Sequence, residues 1–183
     1  MLGATIKVHA VIICSICMLL LVIYNFMLIA SAAQSDNNNN NTNPILKAIQ
    51  KASSTDNKYL KAKVTVKGFE LNADVPITSE LMAKGLAVKN QLKENEAMLF
   101  IFKESAKHSF WMKDMKFPID IIWLDSDGKV VHIEQNLQPC ISVFICAGYS
   151  PNTYSQYVLE TVAGFTQRHN VSVGTDIDFE LIR

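Results

Sequence analysis

The run Ile119-Asp120-Ile121-Ile122-Trp123-Leu124, then Asp125-Ser126-Asp127-Gly128, then Lys129-Val130-Val131-His132-Ile133, decides the fold class. β-Branched and aromatic residues fill the two flanks, and an Asp-Gly turn joins them, a strong short-range signature of a β-hairpin. The acidic turn has a superficial look of a calcium loop. The remaining ligands and the downstream Glu are missing, so it reads as a turn.

Outward from the hairpin, more strands appear. Upstream, Met98 to Phe102 is a short apolar run suited to a buried strand, and His108 to Met112 reads as its neighbour. Val64 and Val66, continuing toward Phe69, alternate with Lys63, Thr65 and Lys67, the pattern of a half-buried strand. Pro76 stops any strand there. Thr78 or Ser79 can then cap a helix running to about Lys89, with Leu81, Met82, Leu86 and Val88 facing inward. Downstream, Asn152 to Arg168 places Tyr154, Tyr157, Val158, Val162 and Phe165 at helical spacing. Val171 to Ile182 closes the chain as one or two strands. Runs of strands with two helices, without regular strand–helix alternation, indicate an α+β fold. The expectation is a small, mainly antiparallel sheet or partly closed barrel with two helices, behind an N-terminal apolar helix.

The N-terminus differs from the rest. Of 34 charged side chains, residues 1–36 hold two, Lys7 and Asp36, and Ala10 to Met27 is almost wholly apolar. Such a run spans a hydrocarbon core of about 30 Å as a helix. The positive flank before it keeps the N-terminus cytoplasmic and puts the domain outside. Two readings stand: an uncleaved anchor, or a secretory signal cut near Ala30-Ser31-Ala32-Ala33. Residues 1–33 are thus an anchor or signal segment, and residues 34–58, with five consecutive Asn from Asn37, an Asn-rich tether. Within it, Ile45 to Ala52 forms a short helix or stays part of the tether. Residues 59–183 make a single domain.

Charge and cysteines narrow the chemistry. The net charge is zero, which argues against a nucleic-acid binder, since such a protein needs a basic face. Cys14 and Cys17 sit inside the apolar run and read as small lipid-facing residues, not as a redox or zinc motif. Cys140 and Cys146 follow Pro139 with five residues between them. In an exported domain a disulfide is the expected state, and it would rigidify a loop with little structure of its own.

From about Val64 to Ile182 the chain resembles the domain of unknown function 192 family, also called the UPF0127 proteins. The resemblance rests on Phe110-Trp111-Met112-Lys113-Asp114-Met115 followed by Phe117-Pro118-Ile119-Asp120-Ile121-Ile122. Lys84-Gly85-Leu86, Met98-Leu99-Phe100, Pro139-Cys140, Tyr157-Val158-Leu159-Glu160, Ala163-Gly164 and Val173-Gly174 support it in the same order. The chain has Asp114 where the family usually has Asn, Ala97 where Gly is frequent, and Thr175 where Asp is usual. The resemblance implies a small, mainly antiparallel α+β domain, often exported or membrane-anchored. It implies no activity.

Trp111, Lys113, Asp114 and Asp120 form the densest group of candidate binding residues, with Glu160 bordering the same surface. A Trp face beside carboxylates suits a sugar or another polar ligand with an apolar side. Against this, Trp111 or Met112 can fill the core, and Asp120 can hold a turn through backbone N–H groups. On a strand the two neighbours point oppositely, which leaves one exposed. His108 can serve as a base near Trp111 or simply pack. No metal or cofactor is expected: the four His are scattered without a ligand motif. The leading expectation is a membrane-tethered extracytoplasmic binding or accessory domain for a glycan, small solute or protein segment. Set against it are a metal-independent envelope hydrolase using two of Asp114, Asp120 and Glu160, and a structural partner domain in a membrane complex.

Overall fold

The computed structural model describes residues 44–53, 59–140, 142 and 145–182. The expected membrane segment and most of the tether lie outside these residues. Among the described residues, no helix is long and apolar enough to cross a membrane. Helix α1 (Pro44–Ser53) falls within the segment expected as tether, and its Ile45, Leu46 and Ile49 pack against the core.

Strands β1 (Leu60–Val66) and β2 (Phe69–Val75) form a hairpin, with Val66 opposite Phe69. The single strand expected toward Phe69 is broken by Lys67 and Gly68, both at positive φ, the geometry of a tight two-residue turn. Helix α2 (Ser79–Lys84) starts where expected: the Thr78 hydroxyl accepts from the Leu81 N–H. A 3₁₀ turn, Gly85–Val88, completes it, but only Leu86 of the four expected residues is fully buried, and Val88 is exposed. The crossover lets β3 (Glu96–Ala106) lie parallel to β2.

Next come β4 (Phe110–Trp111), β5 (Ile119–Leu124) and β6 (Val130–Leu137), the last two being the expected hairpin. Its turn is fixed by the Asp125 carboxylate, which accepts from the N–H groups of Asp127 and Lys129. Strands β7 (Gly148–Tyr149), β8 (Ser155–Val162) and β9 (Ile177–Ile182), with helix α3 (Phe165–Arg168) between the last two, finish the chain.

Two expectations are corrected here. The helix expected over 152–168 is strand β8 followed by one short turn of helix. β8 lies between β5 and β3, buried on both faces, so its apolar residues do not alternate with polar ones and mimic a helical stripe. The segment His108 to Met112 is not β3's neighbour either: β3 is flanked by β2 and β8, and β4 pairs with β7 in a separate ribbon.

The main sheet is mixed, in the order β6-β5-β8-β3-β2-β1-β9. It does not close into a full barrel. Its two edge strands nevertheless meet at one end. Ile177 N–H donates to Gly128 O at 2.9 Å, Val130 N–H to Thr175 O at 2.9 Å, and Lys129 pairs with Asp176. Apolar side chains fill both faces. Val64, Leu71, Leu99, Ile122, Leu159 and Phe165 pack on one. Met98, Phe100, Ile121, Trp123 and Val158 pack on the other, under Leu86 and Met112.

Gly128 has φ 82°, and a Cβ there would stand 2.5 Å from Ile177 O; Gly68 has φ 84° with open space around it. Gly68→Ala is therefore expected to cost about 1 kcal/mol from backbone strain alone. Gly128→Ala is expected to cost at least about 1 kcal/mol more, because it also wedges the seam open. Urea denaturation of the two variants measures the difference, and equal costs would mean that the seam contributes nothing.

Candidate functional site

The site grows from the β4–β7 ribbon. Phe110 and Trp111 point to opposite sides of it. Phe110 packs edge-on against Phe100 (4.9 Å between ring centroids) and Trp123 (6.0 Å). Trp111 is 54% exposed, whereas Met112 is 1% exposed. The expectation that one of that pair would be outside is met by Trp111. Across the ribbon Trp111 stands opposite Gly148, where an added Cβ would crowd Ser109 Oγ at 3.2 Å. Cys140 and Cys146 are disulfide-bonded, with Cα atoms 5.3 Å apart. The bridge closes the loop that leads into β7, and Cys140 N–H donates to Met112 O. Behind the ribbon, Trp123 Nε1 donates to His108 O at 2.8 Å and pins the preceding loop.

Beneath Trp111 lies a cleft of about 310 Å³, walled by Met82, Phe100, Phe102, Phe110 and Met115. Its polar groups are Lys84, His108, Ser109, Lys113 and Glu160. Lys113 Nζ sits over the Trp111 ring, 5.3 Å from the centroid, a cation–π contact. Lys84 is held by Glu80 at 2.7 Å. His108 stacks flat on Phe102 with centroids 3.5 Å apart, its Nε2 is 3.1 Å from Glu104 O, and burial pushes its pKa down.

Glu160 lies at the base. In β8 it pairs with Met98 on one side and Ile121 on the other, so its side chain stands on the same face as Phe100 and Trp123. It is 4% exposed. The Leu86 N–H donates to its carboxyl group, but Oε2 is buried without a partner. Desolvation pushes its pKa up to about 8, from an ordinary 4.5, so at neutral pH it is mostly a protonated carboxylic acid. Gly85 leaves room above it: a Cβ there would lie 3.8 Å from Oε2, on a backbone at φ 49°.

The two remaining candidates are elsewhere. Asp120 pairs with Thr161, one residue out of step with Glu160, and so faces the other side of the sheet. It is fully buried, and its own chain satisfies it. Oδ1 accepts from the N–H groups of Asn136 (2.8 Å) and Gly164 (3.0 Å), and Oδ2 from Thr166 N–H (2.9 Å) and hydroxyl (2.7 Å). Asp114 is exposed, lies outside the cleft lining and has φ 59°. That left-handed geometry favours Asn, so the residue usual in the family matches a turn and not a charge. The cleft therefore joins Trp111, Lys113 and Glu160. It adds Lys84 and Gly85, which the sequence marked only as part of a motif without a role, and it includes His108, which the sequence set near Trp111 as a base or a packing residue.

The architecture is that of a small α+β domain with a mixed sheet and one aromatic cleft. The profile of the DUF192 family, described as an uncharacterized ACR, matches residues 62–179, and the chain belongs to that family. Two solved structures are similar at 25% identity. One is a Sinorhizobium meliloti 1021 protein named as a candidate transcription regulator, with a TM-score of 0.59 over 68% of this chain and 96% of that one. The other is a protein of unknown function from Novosphingobium aromaticivorans DSM 12444, with a TM-score of 0.58 over 66% and 84%. Among curated proteins none matches.

Asp120→Asn turns an amide toward N–H donors and is expected to cost about 2–4 kcal/mol, whereas Asp114→Asn should stay within about 0.5 kcal/mol of the parent. Chemical denaturation checks both. Glu160 predicts a pH signature. It is protonated in the folded state up to about pH 8 but ionises near 4.5 in the unfolded chain. Its contribution to stability is thus full below pH 4.5 and is lost as pH rises to 8. Glu160→Gln, which keeps the shape of the neutral acid, should flatten this slope and gain stability on the order of 1–3 kcal/mol at pH 8. Melting curves of the two proteins from pH 5 to 9 test it.

Proposed function

We propose that the folded unit is a binding module whose ligand is a small polar molecule with an apolar face, such as a sugar unit of a cell-envelope glycan. One observation carries the reading: the Glu160 carboxyl group is buried at the base of the cleft with Oε2 unpartnered, below an exposed Trp111. A buried, unsatisfied donor costs free energy that a ligand oxygen can relieve. An exposed indole offers a flat apolar platform for a ring. The N-terminal apolar segment would tether this module to the membrane with its cleft outside the cytoplasm.

A hydrolase working through a carboxylate pair is not favoured. Glycoside hydrolysis needs two carboxyl groups about 5–10 Å apart on one site. Among the described residues of the cleft lining Glu160 is the only one, since Asp120 is on the opposite face and Asp114 lies outside.

The test is a thermal-shift screen of the full-length protein against sugars, metabolites and peptides. A ligand at about 100 times its Kd should stabilise the fold by about 2.7 kcal/mol. Trp111→Ala is expected to abolish the shift while its own melting temperature stays close to the parent's. A shift that survives Trp111→Ala places the ligand elsewhere, and no shift with any small molecule moves the role to a protein partner.

A further inference from the structure

The polar groups of the cleft differ sharply in how well they are already satisfied. Lys84 is engaged by Glu80 at 2.7 Å, and His108 Nε2 by Glu104 O at 3.1 Å. Lys113 has no acidic partner among the described residues; its ammonium group is held only by the Trp111 face. Glu160 Oε2 has no partner at all. The cleft thus presents one cation and one carboxyl group with unused capacity, and the described residues of its lining include no second acid. A neutral ligand would leave the ammonium group uncompensated as water is expelled, and a cationic ligand would be repelled by it. An anionic oxygen answers both groups: it pairs with the ammonium and accepts the carboxylic proton in a short, charge-assisted hydrogen bond.

We infer that the ligand is an acidic sugar unit, bound with its ring on Trp111 and its carboxylate between Lys113 and the Glu160 carboxyl group. This rests on the binding reading above and adds to it the charge of the ligand and the proton that it needs. The aromatic walls receive the ring's C–H face. The cleft volume of about 310 Å³ is at the small end for ligand pockets, which suits a single sugar. No bond is made or broken. The proton stays with Glu160, shared with the ligand, so binding requires the protonated form and fades as that form is lost. The titratable groups that line the cleft with Glu160 are Lys84 from α2, His108 from the loop before β4, and Lys113 after it. Burial pushes the pKa of His108 down, away from the interval between pH 7 and 9 over which Glu160 loses its proton.

Isothermal titration of the full-length protein with D-glucuronate and with D-glucose, its neutral counterpart, tests the inference at pH 6, 7 and 9. Glucuronate should bind at least about tenfold more tightly than glucose at pH 6, and its affinity should fall about tenfold between pH 7 and 9. Glu160→Gln, which still donates an N–H but does not ionise, should bind glucuronate equally at pH 7 and 9. Lys113→Met should erase the preference for the acid, bringing the affinities for glucuronate and glucose within about twofold of each other at pH 6. If glucose binds as well as glucuronate, or the preference survives Lys113→Met, the acidic ligand is refuted while the binding cleft stands. If neither sugar binds at millimolar concentration, the acidic-sugar inference falls, and the binding reading stands or falls with the broader thermal-shift screen.

Discussion

One buried carboxylate holds the domain in register. Asp120 receives four hydrogen bonds from three separate places: the irregular stretch of β6 at Asn136, the left-handed Gly164, and Thr166 in α3. Each donor is a group that the fold would otherwise strand. Asn136 sits where the β5–β6 register slips, with φ 52°, and such a bulge leaves an N–H without a ladder partner. Gly164 and Thr166 open a helix of only four residues, too short to satisfy its own first N–H groups. Gln135 extends the network by donating to the Thr166 hydroxyl at 2.8 Å. A single anion thereby replaces what regular secondary structure would supply, and it fixes the end of β8 against β5.

The same strand pair separates structure from chemistry. β5 and β8 run antiparallel with Asp120 opposite Thr161 and Ile121 opposite Glu160. Two carboxyl groups close in the sheet thus face different cores. On one side the carboxylate is saturated. On the other it is dry, half-satisfied and protonated at neutral pH. The contrast follows from the neighbours: backbone N–H groups gather around Asp120, whereas Met98, Phe100 and Gly85 surround Glu160.

Much of this was legible in the residues. The hairpin around Asp127-Gly128, the Thr78 cap and the buried run at Met98 follow from local rules of turn chemistry and alternation. Alternation also put one of Trp111 and Met112 outside without saying which, and the Cys140–Cys146 bridge was expected from its short spacing in a domain read as exported. β8 did not, because a strand buried on both faces loses the period of two that identifies strands. That one misreading hid the site's logic. On a helix, Glu160 is a surface or capping residue; on a central strand, it lies under a cleft. The fate of Asp120 was likewise beyond local pattern, since its donors lie 16 to 46 residues away in the chain.

The last strand closes the domain onto its first. β9 lies against β1, with Lys61 opposite Ile182, and the seam beside Gly128 engages the start of β9 and the residues just before it. Contacts of such long sequence separation form only after a large loss of chain entropy, which makes this topology slow to nucleate. Until the final residues leave the ribosome, β1 has one edge without a partner, and such an edge is an invitation to pair with other chains. During synthesis, the order of emergence and not the strength of the core governs how long the sheet stays open to aggregation.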